Sequence, residues 1–138
     1  MLRKESIEAL AYDKTIFMET EFVQTIPVIP SADIARDVAW YQKNTGFEVY
    51  FADKMYAVIY RENLCIHLQW HADTPEDPLL GGSVVRIAVR NIQPIFEEFV
   101  QRGVVTQASF KANTPWNTHE FGFFDLNQNL IFVMEDIL

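Results

Sequence analysis

The sequence predicts an α+β fold of two βαβββ modules packed as a pair. Three observations predict it. A strand, a capped helix and a second strand follow one another from Pro27 to Phe47, the same order returns from Val84 to Val104, and each copy leads into further extended runs separated by turn residues. Laid over one another with Asn91 on Asp33, the copies put Ile92 on Ile34, Phe96 on Val38 and Phe99 on Tyr41, and Gly103 falls on Gly46 after a single gap. Two copies at about half the chain length fit a pair of packed modules better than a solenoid, which needs more and shorter units.

In the first copy, Gln24 to Ile29 is extended and apolar, and Pro27 and Pro30 keep it out of helix and at a sheet edge. Ser31 and Asp33 offer oxygens to the free N–H groups of a first helical turn. Ile34, Val38 and Tyr41 recur at helical spacing, which gives a helix over Ile34 to Asn44 closed by Gly46. Glu48 to Phe51, Met55 to Tyr60 and Leu64 to Trp70 then form a meander, turned at Asp53-Lys54 and at Arg61 to Asn63. His71 to Ser83 has no periodicity and gathers Asp, Thr, Pro and Gly81-Gly82, so it connects the halves.

The second copy is expected as a strand over Val84 to Val89 and a helix over Ile92 to Arg102 with Asn91 as its cap. Further strands are expected near Val104 to Lys111, His119 to Phe124 and Leu130 to Glu135, with Asp125 to Asn129 as the last hairpin turn. The domain layout is therefore an N-terminal segment over 1–21 and one domain over 22–138, with modules 22–71 and 84–136. Ser6 is placed to cap a short amphipathic helix through Ile7, Leu10 and Ala11, and Met18 is an alternative start.

Composition bounds the function. With 138 residues, 49% hydrophobic and 14% of them aromatic, the chain has ample material for one core. A single cysteine, Cys65, excludes an intrachain disulfide and a cysteine-based zinc site. No apolar run is long enough to span a bilayer, and charges interrupt Met1 to Thr20, so no membrane partner is expected and the cytoplasm is the default location. A net charge of −8 argues against nucleic acid; it serves solubility and, at a binding site, favours a cationic or neutral ligand.

Strand parity separates two faces, because successive side chains point to opposite sides of a sheet. Ile66 and Leu68, Val85, Ile87 and Val89, and Ile131 and Val133 form an aliphatic set that packs under the helices. The opposite face carries His67, Gln69 and Arg86 beside large apolar groups, among them Phe132, which is the composition of a ligand cavity. Trp70, at the end of the His67 strand, and Trp116 supply flat walls for a planar ligand. The remaining aromatic residues, Trp40 included, read as core.

PVIPSADIARDVAWYQKNTGFEV, PWNTHEFG and FGFFDLNQNLIFVMED, in that order and with an internal duplication, resemble the glyoxalase/bleomycin-resistance/dioxygenase family, the vicinal oxygen chelate superfamily. The resemblance runs from Phe22 to Asp136 and is nearest to bleomycin-resistance-like members, whose tryptophan before the penultimate strand Trp116 matches. It implies that the two βαβββ modules form a curled mixed sheet around a cavity, with the helices on the outer face, and that the protein is a homodimer. Family members include metal-dependent lyases, isomerases, dioxygenases and thiol transferases, and metal-free proteins that sequester antibiotics. The family's metal positions fall here on Ile26, His67, Val84 and Phe132, of which only His67 offers a lone pair. His67 and His71 are about 13 Å apart on an extended strand, too far to share an ion.

The expectation is thus a site without metal or cofactor, with His67, Gln69, Trp70, Arg86, Trp116 and Phe132 binding a small molecule such as an antibiotic or metabolite. The alternative is a vicinal oxygen chelate enzyme, a lyase, isomerase or dioxygenase acting on a small oxygenated substrate, either metal-dependent through a different strand register or metal-independent with His67 as acid/base and Arg86 as anion holder. No acidic residue shares the face of Arg86 on the strands placed from sequence. Its guanidinium therefore needs a loop carboxylate or an oxygen of the ligand as partner.

Overall fold

The computed structural model describes residues 19–138, so the expected helix around Ser6 lies outside the described residues. Strand β1 (Val28–Ser31) is shorter than expected, and residues 19–27 carry no regular structure. Helix α1 (Ile34–Thr45) starts on Asp33, whose side chain accepts from the Arg36 N–H at 3.0 Å, and ends at Gly46 with φ 72°. Its buried stripe is Ile34, Asp37, Tyr41 and Thr45, with Val38 half-buried beside it, so two polar residues occupy a face that was expected to be apolar.

Strands β2 (Glu48–Ala52), β3 (Tyr56–Arg61) and β4 (Leu64–Trp70) follow as a meander, with a bulge between Val49 and Phe51. The first turn is fixed by Asp53, whose carboxylate accepts from the N–H groups of Met55 and Tyr56 at 2.8 and 2.9 Å. β1 then returns to pair in parallel with β4, giving the sheet order β1-β4-β3-β2. Pro30, which has no N–H to donate, is tolerated because β1 is the edge strand.

The second module repeats the plan: β5 (Val84–Ala88), α2 (Ile92–Arg102), β6 (Thr118–Phe124) and β7 (Leu130–Asp136), in a sheet ordered β5-β7-β6 with β5 again parallel to the last strand. The strand expected over Val104 to Lys111 does not form. Thr106 and Ser109 close a 3-10 turn on themselves through reciprocal side-chain and backbone bonds, which leaves one bridge, Lys111 to Glu120, as the only pairing there. Asn91 also departs from expectation. It sits at φ 61° and makes no capping bond; the Glu135 carboxylate of β7 accepts instead from the N–H groups of Asn91 and Ile92, at 2.8 and 3.1 Å. Those two bonds hold the Glu135 carboxyl below its ordinary range.

Both helices and the aliphatic side of both sheets meet in one core. Ile59, Leu68, Phe121 and Ile131 are almost fully buried, and Phe96, Phe99, Phe121 and Phe123 stack in a continuous aromatic row that reaches Trp40 and Tyr41 of α1. Each such side chain contributes about 1.5–3 kcal/mol relative to exposure. The α+β architecture and the helix positions are those expected from sequence.

Two polar seams fasten the modules. The β6–β7 turn enters the first module: Tyr41 donates to Asp125 at 2.7 Å, Asn129 donates to the Pro30 carbonyl at 3.0 Å, and Asn127 donates to Asp37 at 2.7 Å while accepting from the Ala32 N–H at 3.0 Å. Ser31 donates to the same Asp37 carboxylate. Burial, reinforced by Asp125, pushes the Tyr41 phenol far above its ordinary value, so it remains a donor. At the other seam Arg61 holds Glu98 with two bonds of 2.7 and 2.8 Å, Arg102 adds a third at 2.9 Å, and the two arginines reach the carbonyls of Thr45 and Lys43.

Candidate functional site: two open sheet faces

With the aliphatic sides buried under the helices, each sheet turns its other side outward. On the first sheet, Val28, Val58 and His67 stand in register across three strands, with Tyr60 opposite Cys65 and Tyr56 opposite Gln69. His67 is half-buried, and its Nδ1 lies 2.8 Å from the Tyr56 hydroxyl with the rings edge to face. Tyr60 donates to Glu48 at 2.9 Å. The chain before β1 borders this face and closes a groove of about 820 Å³ whose walls include Ile26, Tyr50, Val58, Tyr60, Cys65 and His67. Gln69 stands exposed at its edge.

Trp70 does not join this group. It shares the parity of Ile66 and Leu68 and therefore lies on the helix side, where its Nε1 donates to the Ala32 carbonyl at 3.1 Å and its ring lines a separate groove against α1. The parity of its own strand already carried that answer.

On the second sheet, Arg86 is opposite Phe132, which is opposite Gly122, and Glu120 is opposite Met134, so all five share one face. The absence of an acidic residue there, expected from sequence, is corrected by Glu120. Parity along β6 places Glu120 away from Phe121 and Phe123, but only the pairing of β6 with β7 shows that this is the side of Arg86. Glu120 is nearly fully buried, and one of its oxygens accepts from Trp116 Nε1 at 2.6 Å, from the Thr118 hydroxyl at 2.6 Å and from Arg86 Nη2 at 3.3 Å. Burial works to raise its pKa; the bonds from Thr118, Trp116 and Arg86 outweigh that and hold it below the usual carboxylate range. The Arg86 guanidinium rests over the Phe132 ring, 5.1 Å from its centroid. The ring in turn lies against Gly122, where a Cβ would come within 2.8 Å of it.

Five of the six residues singled out from sequence thus fall into two groups, His67 with Gln69 on the first sheet and Arg86 and Phe132 on the second with Trp116 from the turn before β6, while Trp70 stands apart. Tyr56, Tyr60, Thr118 and Glu120 belong with them and were not singled out. Among the described residues no three His, Cys, Asp or Glu side chains gather in a group. Nor is any described helix long and apolar enough to cross a membrane.

No family model matches the chain. Bleomycin resistance proteins of Geobacillus stearothermophilus and Staphylococcus aureus are each 25% identical to it over 130 residues, covering 83% of this chain and 98% of theirs. In sequence the chain is thus similar to bleomycin resistance proteins. Solved structures share its fold: a bleomycin resistance determinant encoded on the transposon Tn5 superposes with a TM-score of 0.69 at 20% identity, covering 86% of this chain and all of that one. A bleomycin-binding protein in complex with bleomycin also gives 0.69, at 20% identity over 85% of this chain and 99% of its own. A glyoxalase/bleomycin resistance protein/dioxygenase from Nocardioides gives 0.65 at 16% identity, over 95% and 93%.

Proposed function

We propose that the chain is a metal-free small-molecule-binding protein of the bleomycin-resistance type, which sequesters its ligand in the cytoplasm rather than transforming it. The observation that carries this reading is the make-up of the two open faces: aromatic and hydroxyl-bearing walls, with His67 the one metal-capable group among the family's four metal positions. Relatives named for bleomycin resistance, and a bleomycin-bound protein of the same fold, support it.

A homodimer completes the site in this reading. β1 and β5 are edge strands, and Val28 and Val84, at equivalent places on them, are 48% and 56% exposed on the outward faces. A second copy that sets its first-sheet face opposite the second-sheet face of its mate covers these residues and encloses two equivalent clefts.

Native mass spectrometry of the purified protein, followed by calorimetric titration with bleomycin and with any molecule that co-purifies, tests the proposal. The expected result is a dimer that takes up ligand stoichiometrically and returns it unchanged. One equivalent of tightly held metal together with turnover would overturn the reading in favour of an enzyme.

A further inference from the structure

We infer that the second-sheet half of the site takes an anionic oxygen of the ligand, a carboxylate or sulfonate, carried on a planar aromatic body. The inference rests on the binding role proposed above and adds the chemistry of the ligand to it.

The first argument is the state of Arg86. A guanidinium offers five N–H donors in a fixed fork. Here the hydrogen bond found for it is one from Nη2 to Glu120, and at 3.3 Å it is long for a charge-assisted bond, for which roughly 2.7–2.9 Å is usual. Glu120 does not depend on it, because Trp116 and Thr118 already satisfy the same oxygen at 2.6 Å each. The guanidinium is therefore fixed in place, by the Phe132 ring beneath it and the carboxylate beside it, while most of its donors remain open. Its side chain is 40% exposed on the open face.

The second argument is local charge. Lys111 bridges to Glu120 in antiparallel register and so shares its face, where it lines a pocket of about 230 Å³ with Glu120, Gly122, Leu130 and Phe132. Arg86 and Lys111 thus flank the buried Glu120, while the second carboxylate of this face, Asp136, stands exposed at its far end opposite Thr118. The groove of the first sheet has no such pair of cations: its ionisable groups are Glu48, Glu62, Cys65, His67 and three tyrosines. Two cations whose shared carboxylate is already satisfied by Trp116 and Thr118 draw an anion between them and orient it.

The planar body follows from Trp116. The Trp116 indole is 59% exposed, yet its Nε1 is pinned by a 2.6 Å bond to Glu120. An aromatic wall held by a hydrogen bond instead of by burial is ready for stacking at little entropic cost.

The test uses two fluorescent probes with the same ring system on the full chain: 8-anilinonaphthalene-1-sulfonate, which carries an anion, and N-phenyl-1-naphthylamine, which does not. The sulfonate is expected to bind at least tenfold more tightly, about 1.4 kcal/mol, and Arg86→Met is expected to erase that preference while leaving the melting temperature within a few degrees. Arg86→Gln and Lys111→Met serve as second variants should Arg86→Met fail to fold. Equal affinity for the two probes, a preference that survives in the Arg86 variants, or no binding of the sulfonate would each overturn the inference. The sequestration reading is decided separately, by the native mass spectrometry and titration above, and stands if a neutral or cationic ligand is found there.

Discussion

In the first module helix α1 begins on its own neighbour, Asp33, whereas in the second α2 begins on Glu135, a carboxylate 43 residues beyond Ile92. The same contrast runs through both modules. The first has four strands, a locally closed turn at Asp53 and an open face of Tyr56, Tyr60 and His67; the second has three strands, a self-closing 3-10 turn where a fourth would be, and an open face dominated by the Arg86–Glu120 pair. One plan of strands and helices therefore carries two chemistries. Each outward face thus has its own make-up, hydroxyl-rich on one side and charged on the other.

The largest expected effect tests whether the modules stand alone. Asp37 sits in the buried seam and accepts from Asn127 and Ser31, so Asp37→Ala leaves buried donors without partners. A loss of about 3 kcal/mol in urea unfolding is expected; a loss under about 1 kcal/mol would mean that the modules do not rely on this seam. Next comes the ionic seam. The Glu98 carboxyl is held at about 2 from an ordinary 4.5 by Arg61, with Arg102 adding to it. Because the folded value is depressed, the stabilisation is fully present above about 4.5 and is lost as pH falls through about 2. Glu98→Gln should melt below the parent at pH 7 and converge with it near pH 2; parallel curves across that range would contradict the assignment.

The smallest effects separate the two helix starts. Asp33→Ala removes a local cap and should cost about 1 kcal/mol. Glu135→Gln should lower the melting temperature less than the seam variants while selectively speeding hydrogen exchange at Asn91 and Ile92. Exchange that is uniform across α2, or unchanged, would remove Glu135 as its cap.

What was legible in the sequence follows the same division. The limits of α2 could be read because Phe96 and Phe99 keep helical spacing and Gly103 ends it, all within one local window. Its cap could not, since nothing near Asn91 points to Glu135. The sides of β4, β5 and β7 were legible from alternation alone, and Ile66, Leu68, Ile131 and Val133 are buried as read. That Glu120 shares the face of Arg86 needs the register between β6 and β7, which alternation within one strand does not contain. Asp37, Asn127 and Asn129 are polar letters that ordinarily mark a surface; their burial becomes reasonable only once the β6–β7 turn is seen to enter the first module. Val104 to Lys111 has the composition of a strand, but the bonds between Thr106 and Ser109 compete with pairing and win.

The central claim is that the two open faces are halves of one ligand site completed by a second copy. Mixing two disabled proteins tests it most directly: His67→Glu, which spoils the first face, and Arg86→Met, which spoils the second, each deficient in binding the anilinonaphthalene sulfonate on its own. After subunit exchange, every mixed dimer should hold one cleft with both faces intact, so that on the order of one site in four recovers the parent's affinity. No recovery on mixing, with mixed dimers confirmed by mass, would contradict the account and confine the site to a single chain.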